Sequence, residues 1–177
     1  MDYELWWSRL QKGDQEAFNH LFRVMYPELK AYGMKVAQRE DLAKDAIQKL
    51  FVKIWERKEQ WGQVKSVKSY ILKAYRRTLI DLLAAEQKRA KQTLPPLAFQ
   101  LSPEDLKIHQ QDQEQRAQQL AELLGQLPDK QREIIYLRFY NQLSFLEIAE
   151  ILEINYQTVR NYASKALRKL MDNWKPD

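Results

Sequence analysis

The feature that most constrains this fold is a pair of helix-start signals near the end of the chain, which predict two helices separated by only three residues. Ser144 followed by Glu147 forms a capping box directly before an apolar run, which predicts the start of one helix. Asn155 is a preferred residue for capping the start of the next helix. The segment Glu153-Ile154-Asn155 therefore joins two helices by a turn of the length that helix-turn-helix motifs need.

The apolar residues of this segment repeat at helical spacing. A preceding helix is expected to begin at Pro128, because proline suits the first helical position. The tight turn tends to require positive φ at position 153, where Glu costs on the order of 1 kcal/mol relative to Gly. The residues expected to face inward are Ile148, Ala149, Leu152, Ile154, Val159, Ala163, Ala166, Leu167 and Leu170.

The outer face of the last helix is polar and basic. Between Tyr156 and Met171 the sequence has four basic residues and no acidic one. A helix that is apolar inside and basic outside suits the major groove of DNA, although an ordinary solvated surface helix has a similar composition. The spacing, the capping box and the one-sided charge favour DNA contact. The predicted contact residues are Tyr156, Gln157, Thr158, Arg160, Asn161, Ser164, Lys165 and Arg168.

Composition excludes several kinds of site. The net charge of +5 favours a polyanionic partner. The absence of cysteine excludes disulfides and thiolate zinc sites, and the two histidines, His20 and His109, are far apart in sequence. No glycine cluster resembles a phosphate-binding loop. We therefore expect no cofactor, no metal and no catalysis.

The chain is expected to be cytoplasmic and to have no membrane partner. It has no N-terminal signal pattern, and no apolar run approaches 18 residues.

Helical spacing also dominates the first half of the chain. Asp14 is placed to cap a helix, Pro27 suggests a break or kink, and residues 58–66 read as a loop between a helix over 39–57 and one that begins near Val67. The apolar residues at helical spacing before that loop are Leu5, Trp6, Leu10, Phe18, Leu21, Phe22, Met25, Leu29, Ile47, Leu50, Phe51 and Ile54.

A change in composition separates two halves. Residues 92–104 contain three prolines, and residues 107–119 are rich in glutamine. We predict an all-α protein with two small helical domains, over 1–90 and 112–177, joined by a flexible linker over 91–111.

The two halves together resemble bacterial RNA polymerase sigma factors of the extracytoplasmic-function class. The C-terminal domain resembles region 4 through LPDKQREIIYLRFYNQLSFLEIAEIL and TVRNYASKALRKL. The N-terminal domain resembles region 2 through AFNHLFRVMYPELKAYG, DAIQKLFVKIW and VKSYILKAYRRTLIDLL. The resemblance implies a subunit that binds core RNA polymerase and directs transcription initiation through the −10 and −35 promoter elements.

The resemblance also implies site residues in the first domain. Leu50, Phe51 and Ile54 equally suit the core, which we favour for Phe51 and Ile54; Asp45 and Gln48 are the better interface residues. The implied polymerase-binding residues are Asp45, Gln48, Lys49, Phe51 and Trp55. Each −10 residue equally suits a solvated surface, and Trp61 also suits a loop anchor. The implied −10 residues are Trp61, Gln63, Lys65, Lys68, Lys73, Arg76 and Arg77.

The sequence departs from the family pattern at three places that concern these roles. It has Gln48-Lys49 where the family often has Gln-Glu, and Arg77 where the family often has a −10-reading Asn. After Asp81 it reads LLAAEQKRAK, where the family often carries an arginine run. A weakened −10 reader suggests a recruiting protein as an additional partner, and the family is commonly held by an anti-sigma factor. The alternative function is a stand-alone helix-turn-helix transcription regulator, which would usually bind DNA as a dimer.

Overall fold

The computed structural model describes residues 2–62, 64–90, 99–101 and 111–174, with the backbone alone for residues 90 and 111–117. All regular structure in these ranges is helical, which confirms the all-α prediction. A 3₁₀ turn, Lys58–Gln60, follows α3, and a π-helical turn, Tyr136–Tyr140, follows α6. The helices are α1 (Tyr3–Gln11), α2 (Gln15–Ala37), α3 (Glu40–Glu56), α4 (Val67–Ala90), α5 (Gln111–Gly125), α6 (Asp129–Ile135), α7 (Phe145–Leu152) and α8 (Tyr156–Asn173).

The described residues form two compact units, the first built mainly from α1–α4 and the second from α5, α6, most of α7, and α8. The predicted linker over 91–111 lies mostly outside the described residues, so its boundaries stay a prediction.

In the first unit, α2 packs against α1, α3 and α4. The α2 helix begins where predicted, because the Asp14 carboxylate accepts hydrogen bonds from the backbone N–H groups of Glu16 and Ala17. The core contains Leu10, Leu21, Met25, Leu29, Ile47, Leu50, Phe51, Ile54, Ile71, Leu72, Tyr75 and Leu79.

The structure corrects two details of this unit. The α2 helix continues through Pro27, so the predicted break is absent, while a kink there stays a prediction; Met25 and Leu29 on either side of the proline are fully buried and hold the helix to the core. Leu5 is 52% exposed, whereas its neighbour Trp7 is buried, so the inner face of α1 is rotated from the expected stripe.

A charged cluster connects α2 to the start of α3. The Glu40 carboxylate lies 2.8 Å from the ammonium groups of both Lys30 and Lys44. Hydrogen bonds from Lys30 and then Lys44 lower the pKa of Glu40 to about 2.

The second unit encloses its own small core. Leu124, Leu127, Ile135 and Ala166 are buried together, and partly buried leucines of α5 and α8 pack around them. The α6 helix begins one residue later than predicted, because Pro128 is its N-cap residue rather than its first helical residue.

Candidate nucleic-acid interface

The predicted turn between α7 and α8 is present, and it comprises the three expected residues. The capping box is complete: the Ser144 hydroxyl accepts from the Glu147 N–H, and the Glu147 carboxylate accepts from the Ser144 N–H. Glu153 has φ 56° and ψ 42°, which confirms the left-handed conformation expected there. The Asn155 side chain caps α8 by accepting from the Gln157 N–H at 2.7 Å. Local hydrogen bonds therefore fix both helix starts.

The inner faces of α7 and α8 also match the prediction. Ile148 and Val159 are fully buried, and Ala149 is 7% exposed. Ile154 is half-buried within the turn. This packing leaves the opposite face of α8 available to a partner.

The exposed face of α8 carries two side-chain pairs, and the two members of each pair are one helical turn apart. The Arg160 guanidinium lies 5.9 Å from the Tyr156 ring centroid, and the Gln157 side-chain amide donates to the side-chain oxygen Oδ1 of Asn161 at 3.2 Å. Such i,i+4 pairs restrict side-chain rotamers before any ligand arrives. All eight predicted residues lie on this surface, with only Thr158 half-buried.

Lys169, the fourth basic residue of α8, has a different role from the other three. Its ammonium donates to the Gln126 carbonyl at 2.7 Å and so holds α8 against the end of α5. Arg160, Lys165 and Arg168 occupy exposed positions and give the outer face its positive charge.

A second polar surface lies in the first unit, where the loop before α4 meets α3 and α4. Four of the predicted residues line this cleft: Trp61, Lys65, Lys73 and Arg77. The cleft is also lined by Leu50, Lys53, Ile54, Val64, Ser66, Ser69, Tyr70, Ala74, Thr78 and Asp81.

Trp61 holds the loop in place. Its indole N–H donates to the Ile54 carbonyl at 3.2 Å, and its ring lies edge-on to Tyr70 with 5.5 Å between centroids. The Gln11 amide of α1 donates to the Trp61 carbonyl. These contacts support the loop-anchor alternative for Trp61.

Lys68 and Arg76 are not among the residues that line this cleft. Lys68 is ion-paired with Glu28 at 2.7 Å, and both residues are half-buried. Arg76 is only 8% exposed, so its guanidinium belongs to the fold and we do not retain it as a DNA contact. Gln63 lies outside the described residues. The sequence reasoning missed Tyr70, an aromatic residue three positions before Lys73.

The outward face of α3 carries the predicted polar residues. Asp45 and Lys49 form an ion pair at 3.0 Å beside the exposed Gln48. Phe51 is 2% exposed and therefore belongs to the core, which is the assignment that the sequence analysis favoured over a polymerase contact. Trp55 is half-buried, 5.2 Å from the Phe18 ring centroid.

An aromatic groove beside this face was not predicted. Phe18, Phe22 and Tyr26 of α2 line it together with Gln48 and the 48%-exposed Val52 of α3. The signal in the sequence was the i, i+4, i+8 spacing of the three aromatic residues, displaced by one position from the buried stripe of α2.

Two other kinds of site are absent from the described residues. No group of His, Asp and Glu side chains there is arranged to hold a metal ion. Of the helices described, none is both long and apolar enough to cross a membrane.

A basic helix-turn-helix unit and a second helical unit with a cationic, aromatic cleft define a DNA-binding transcription protein. Two family descriptions match the chain: "Sigma-70 region 2" over residues 21–89 and "Sigma-70, region 4" over residues 117–170. The chain belongs to the RNA polymerase sigma factors of the extracytoplasmic-function class.

Curated relatives agree with this membership. The chain is 24% identical to the ECF RNA polymerase sigma factor SigK of Mycobacterium tuberculosis (strain H37Rv), over 92% of this chain and 88% of that protein. It is 29% identical to the RNA polymerase sigma factor SigV of Bacillus subtilis (strain 168), over 74% of this chain and 75% of that protein.

Two solved structures have a similar fold. CnrH in complex with the cytosolic domain of CnrY matches with a TM-score of 0.62 at 19% identity, over 97% of this chain and 96% of that chain. The sigma factor RpoE in complex with the anti-sigma factor NepR from Bartonella quintana matches with a TM-score of 0.63 at 18% identity, over 88% and 94%.

As a sigma factor, the chain binds core RNA polymerase and promoter DNA and directs transcription initiation. The alternative of a stand-alone regulator is not favoured, because the region 2 match covers the half of the chain that such a regulator would not need.

Proposed function

We propose that the second unit reads the −35 element through α8, and that the cleft of the first unit receives the −10 element. The paired and exposed side chains of α8 carry this proposal, because they present amides and a guanidinium on one face directly after a capped turn. Arginine pairs with guanine, and Asn or Gln with adenine, at base edges in the major groove.

Within α8 we assign two kinds of contact. Arg160, oriented by Tyr156 near the start of the helix, reads a base edge. Lys165 lies on the exposed face more than one turn later and contacts a phosphate, which positions the helix without reading sequence.

In the first unit, the cleft suits a single strand of DNA. Lys65, Lys73 and Arg77 supply positive charge for phosphates, and Tyr70 supplies an aromatic surface within reach of a base. Extruding a base from the duplex costs a few kcal/mol, which stacking and hydrogen bonds offset. The anchoring of Trp61 keeps this loop ordered before DNA arrives.

For the polymerase contact we propose the outward face of α3 together with the aromatic groove. Asp45, Gln48 and Val52 provide polar and apolar groups on one exposed helix surface, and Phe18 and Phe22 extend that surface onto α2. A helix that presents such a face suits docking against helices of a partner.

Further parts of the proposal follow from family membership. The chain acts by binding rather than by catalysis, in the cytoplasm, and an anti-sigma protein controls it. This last point is supported by the anti-sigma factor NepR in the complex of one structural neighbour.

Reconstitution with core RNA polymerase tests the proposal. The wild-type chain should co-elute with core enzyme and initiate transcription from a promoter selected from a library. The double variant Asp45→Ala/Gln48→Ala should lose co-elution but keep its helical content, because neither residue is in the core. Ser8→Ala, at an exposed position on α1, is the matched control.

Unchanged co-elution of the double variant would exclude this polymerase interface. A dimer on gel filtration that binds paired half-sites without polymerase would instead support the stand-alone regulator.

A further inference from the structure

A short segment before α5 is docked onto the second unit. Phe99 is only 3% exposed, and its ring centroid lies 5.3 Å from that of Tyr136. Tyr136 in turn stacks on Tyr140 at 4.6 Å. Two residues after Phe99, Leu101 packs against the core of the second unit. The side chains of Phe99 and Leu101, on either side of the exposed Gln100, are therefore both packed against the second unit.

The backbone of the same segment is also held. The Arg132 guanidinium donates to the carbonyl of Phe99, and to those of Leu124 at 2.9 Å, Gly125 at 2.8 Å and Leu127 at 2.7 Å. One side chain thus joins residue 99 to the C-terminal end of α5. We call residues 99–101, docked in this way, the Phe99 anchor.

We infer that the Phe99 anchor limits the reach between the two units and thereby sets which spacing between the −10 and −35 elements this protein accepts. Eight residues lie between Ala90 at the end of α4 and Phe99, and a chain of that length spans at most about 30 Å. Without the anchor the connection runs to Gln111 at the start of α5, and its limit rises to about 70 Å.

The difference between these two limits is large compared with the spacing of base pairs in promoter DNA. Neighbouring base pairs are separated by about 3.4 Å along the helix axis and rotated so that a full turn takes about 10 base pairs. The added reach therefore exceeds the length of one helical turn of DNA. The inference rests on the proposed function where it concerns promoter spacing, but the limit on reach does not.

The anchor segment itself lies between the two matched family regions. The two family descriptions cover residues 21–89 and 117–170, and residues 99–101 fall between them. The anchoring side chains Arg132 and Tyr136 lie inside region 4.

A distance measurement tests the limit on reach in the free protein. The chain has no cysteine, so Ala85→Cys and Glu122→Cys, both at exposed positions, provide two unique labelling sites for energy transfer. In the variant Phe99→Ala/Leu101→Ala, the longest separation observed should increase about twofold. Gln100→Ala, between the two anchoring side chains, should leave the distribution unchanged. An unchanged distribution in the double variant overturns the inference.

The same double variant must remain folded for this comparison. Circular dichroism and binding of a DNA duplex containing the −35 element report on the second unit. If Phe99→Ala/Leu101→Ala unfolds, Phe99→Leu with Leu101→Ser provides a milder release, and the same increase in separation is expected.

A spacer series then tests the consequence for transcription. The wild type should use a narrow range of spacer lengths. The anchor variant should lose this selectivity, and so should a chain with six Gly and Ser residues inserted after Leu94, which keeps the anchor but lengthens the connection. Broadening by the insertion alone, with wild-type selectivity in the anchor variant, would overturn the inference. If no chain initiates at any spacer, the proposed function fails, and the distance measurement alone decides the inference.

Discussion

The hydroxyl of Tyr75 on α4 lies directly over Gly33 on α2, at a place where the three longest helices of the first unit meet. The hydroxyl donates to the Ala43 carbonyl of α3 at 3.1 Å, and a Cβ added at Gly33 would lie 1.9 Å from its oxygen. Burial raises the pKa of Tyr75, in agreement with a neutral hydroxyl used as a structural donor.

Gly33→Ala should therefore destabilise the first unit by about 1–3 kcal/mol, because the buried tyrosine has little room to shift. Urea unfolding followed by tryptophan fluorescence measures this, since four of the five tryptophans lie in α1–α4 and the loop before α4. Gly62→Ala, where an added Cβ meets nothing within 4 Å, is the control. Tyr75→Phe should partly rescue Gly33→Ala; strict additivity of the two changes would refute the proposed clash.

Glu153→Gly should stabilise the second unit by about 1 kcal/mol, because glycine adopts the left-handed conformation at φ 56° without strain. A change of that size corresponds to a melting shift of about 4–8 °C in a domain of this length. Glu150→Gly, three residues earlier inside α7, should have the opposite sign. Differential scanning calorimetry measures both, and a lower melting temperature for Glu153→Gly would show that the turn depends on the glutamate side chain.

Low pH should lower the folding stability of the first unit, because Glu40 becomes protonated and loses its ion pairs. Its folded pKa of about 2 lies below the ordinary value of 4.5, so its contribution is fully present above pH 4.5 and is lost as the pH falls toward 2. The stability of Glu40→Gln should accordingly change less than that of the wild type between pH 5 and pH 3. Unfolding curves at the two pH values provide the test. Equal pH dependence in both proteins would mean that the contacts with Lys30 and Lys44 are absent in solution.

Arg160→Ala and Lys165→Ala should have different kinds of effect on DNA binding. Loss of a base reader should relax preference at one −35 position by roughly 1–3 kcal/mol. Loss of a phosphate contact should weaken all sequences alike and reduce the salt slope by about one unit. Binding of −35 duplexes at several salt concentrations distinguishes them, with Lys130→Ala on α6 as a charge control. If Arg160→Ala alters neither affinity nor preference, the proposed docking of α8 is wrong.

Arg77 should make the −10 element more tolerant of substitution than the −35 element. Asparagine offers a donor and an acceptor to a base edge, whereas arginine only donates. Transcription from a library randomised at both elements measures the two tolerances, and Arg77→Asn should increase selection at one −10 base. Strong −10 selection by the wild type that Arg77→Ala abolishes would instead identify Arg77 as a specific reader.

The sequence by itself determined the helix-turn-helix of the second unit. The capping box of Ser144 and Glu147, the cap by Asn155 and the left-handed Glu153 were all predicted, because each depends on backbone conformation and hydrogen bonds within about four residues. The inward face of α8 followed from its helical period for the same reason.

Only the tertiary structure decided which residues of the first unit remain available to a partner. Arg76 and Arg77 are adjacent and chemically identical, yet one is buried and the other exposed. The same holds for Phe51, which is covered by Phe18 and Phe22 of another helix, and for Phe99, which is held by residues more than thirty positions later. Burial depends on helices brought together from distant parts of the chain, and local periodicity carries no information about which neighbour covers which face.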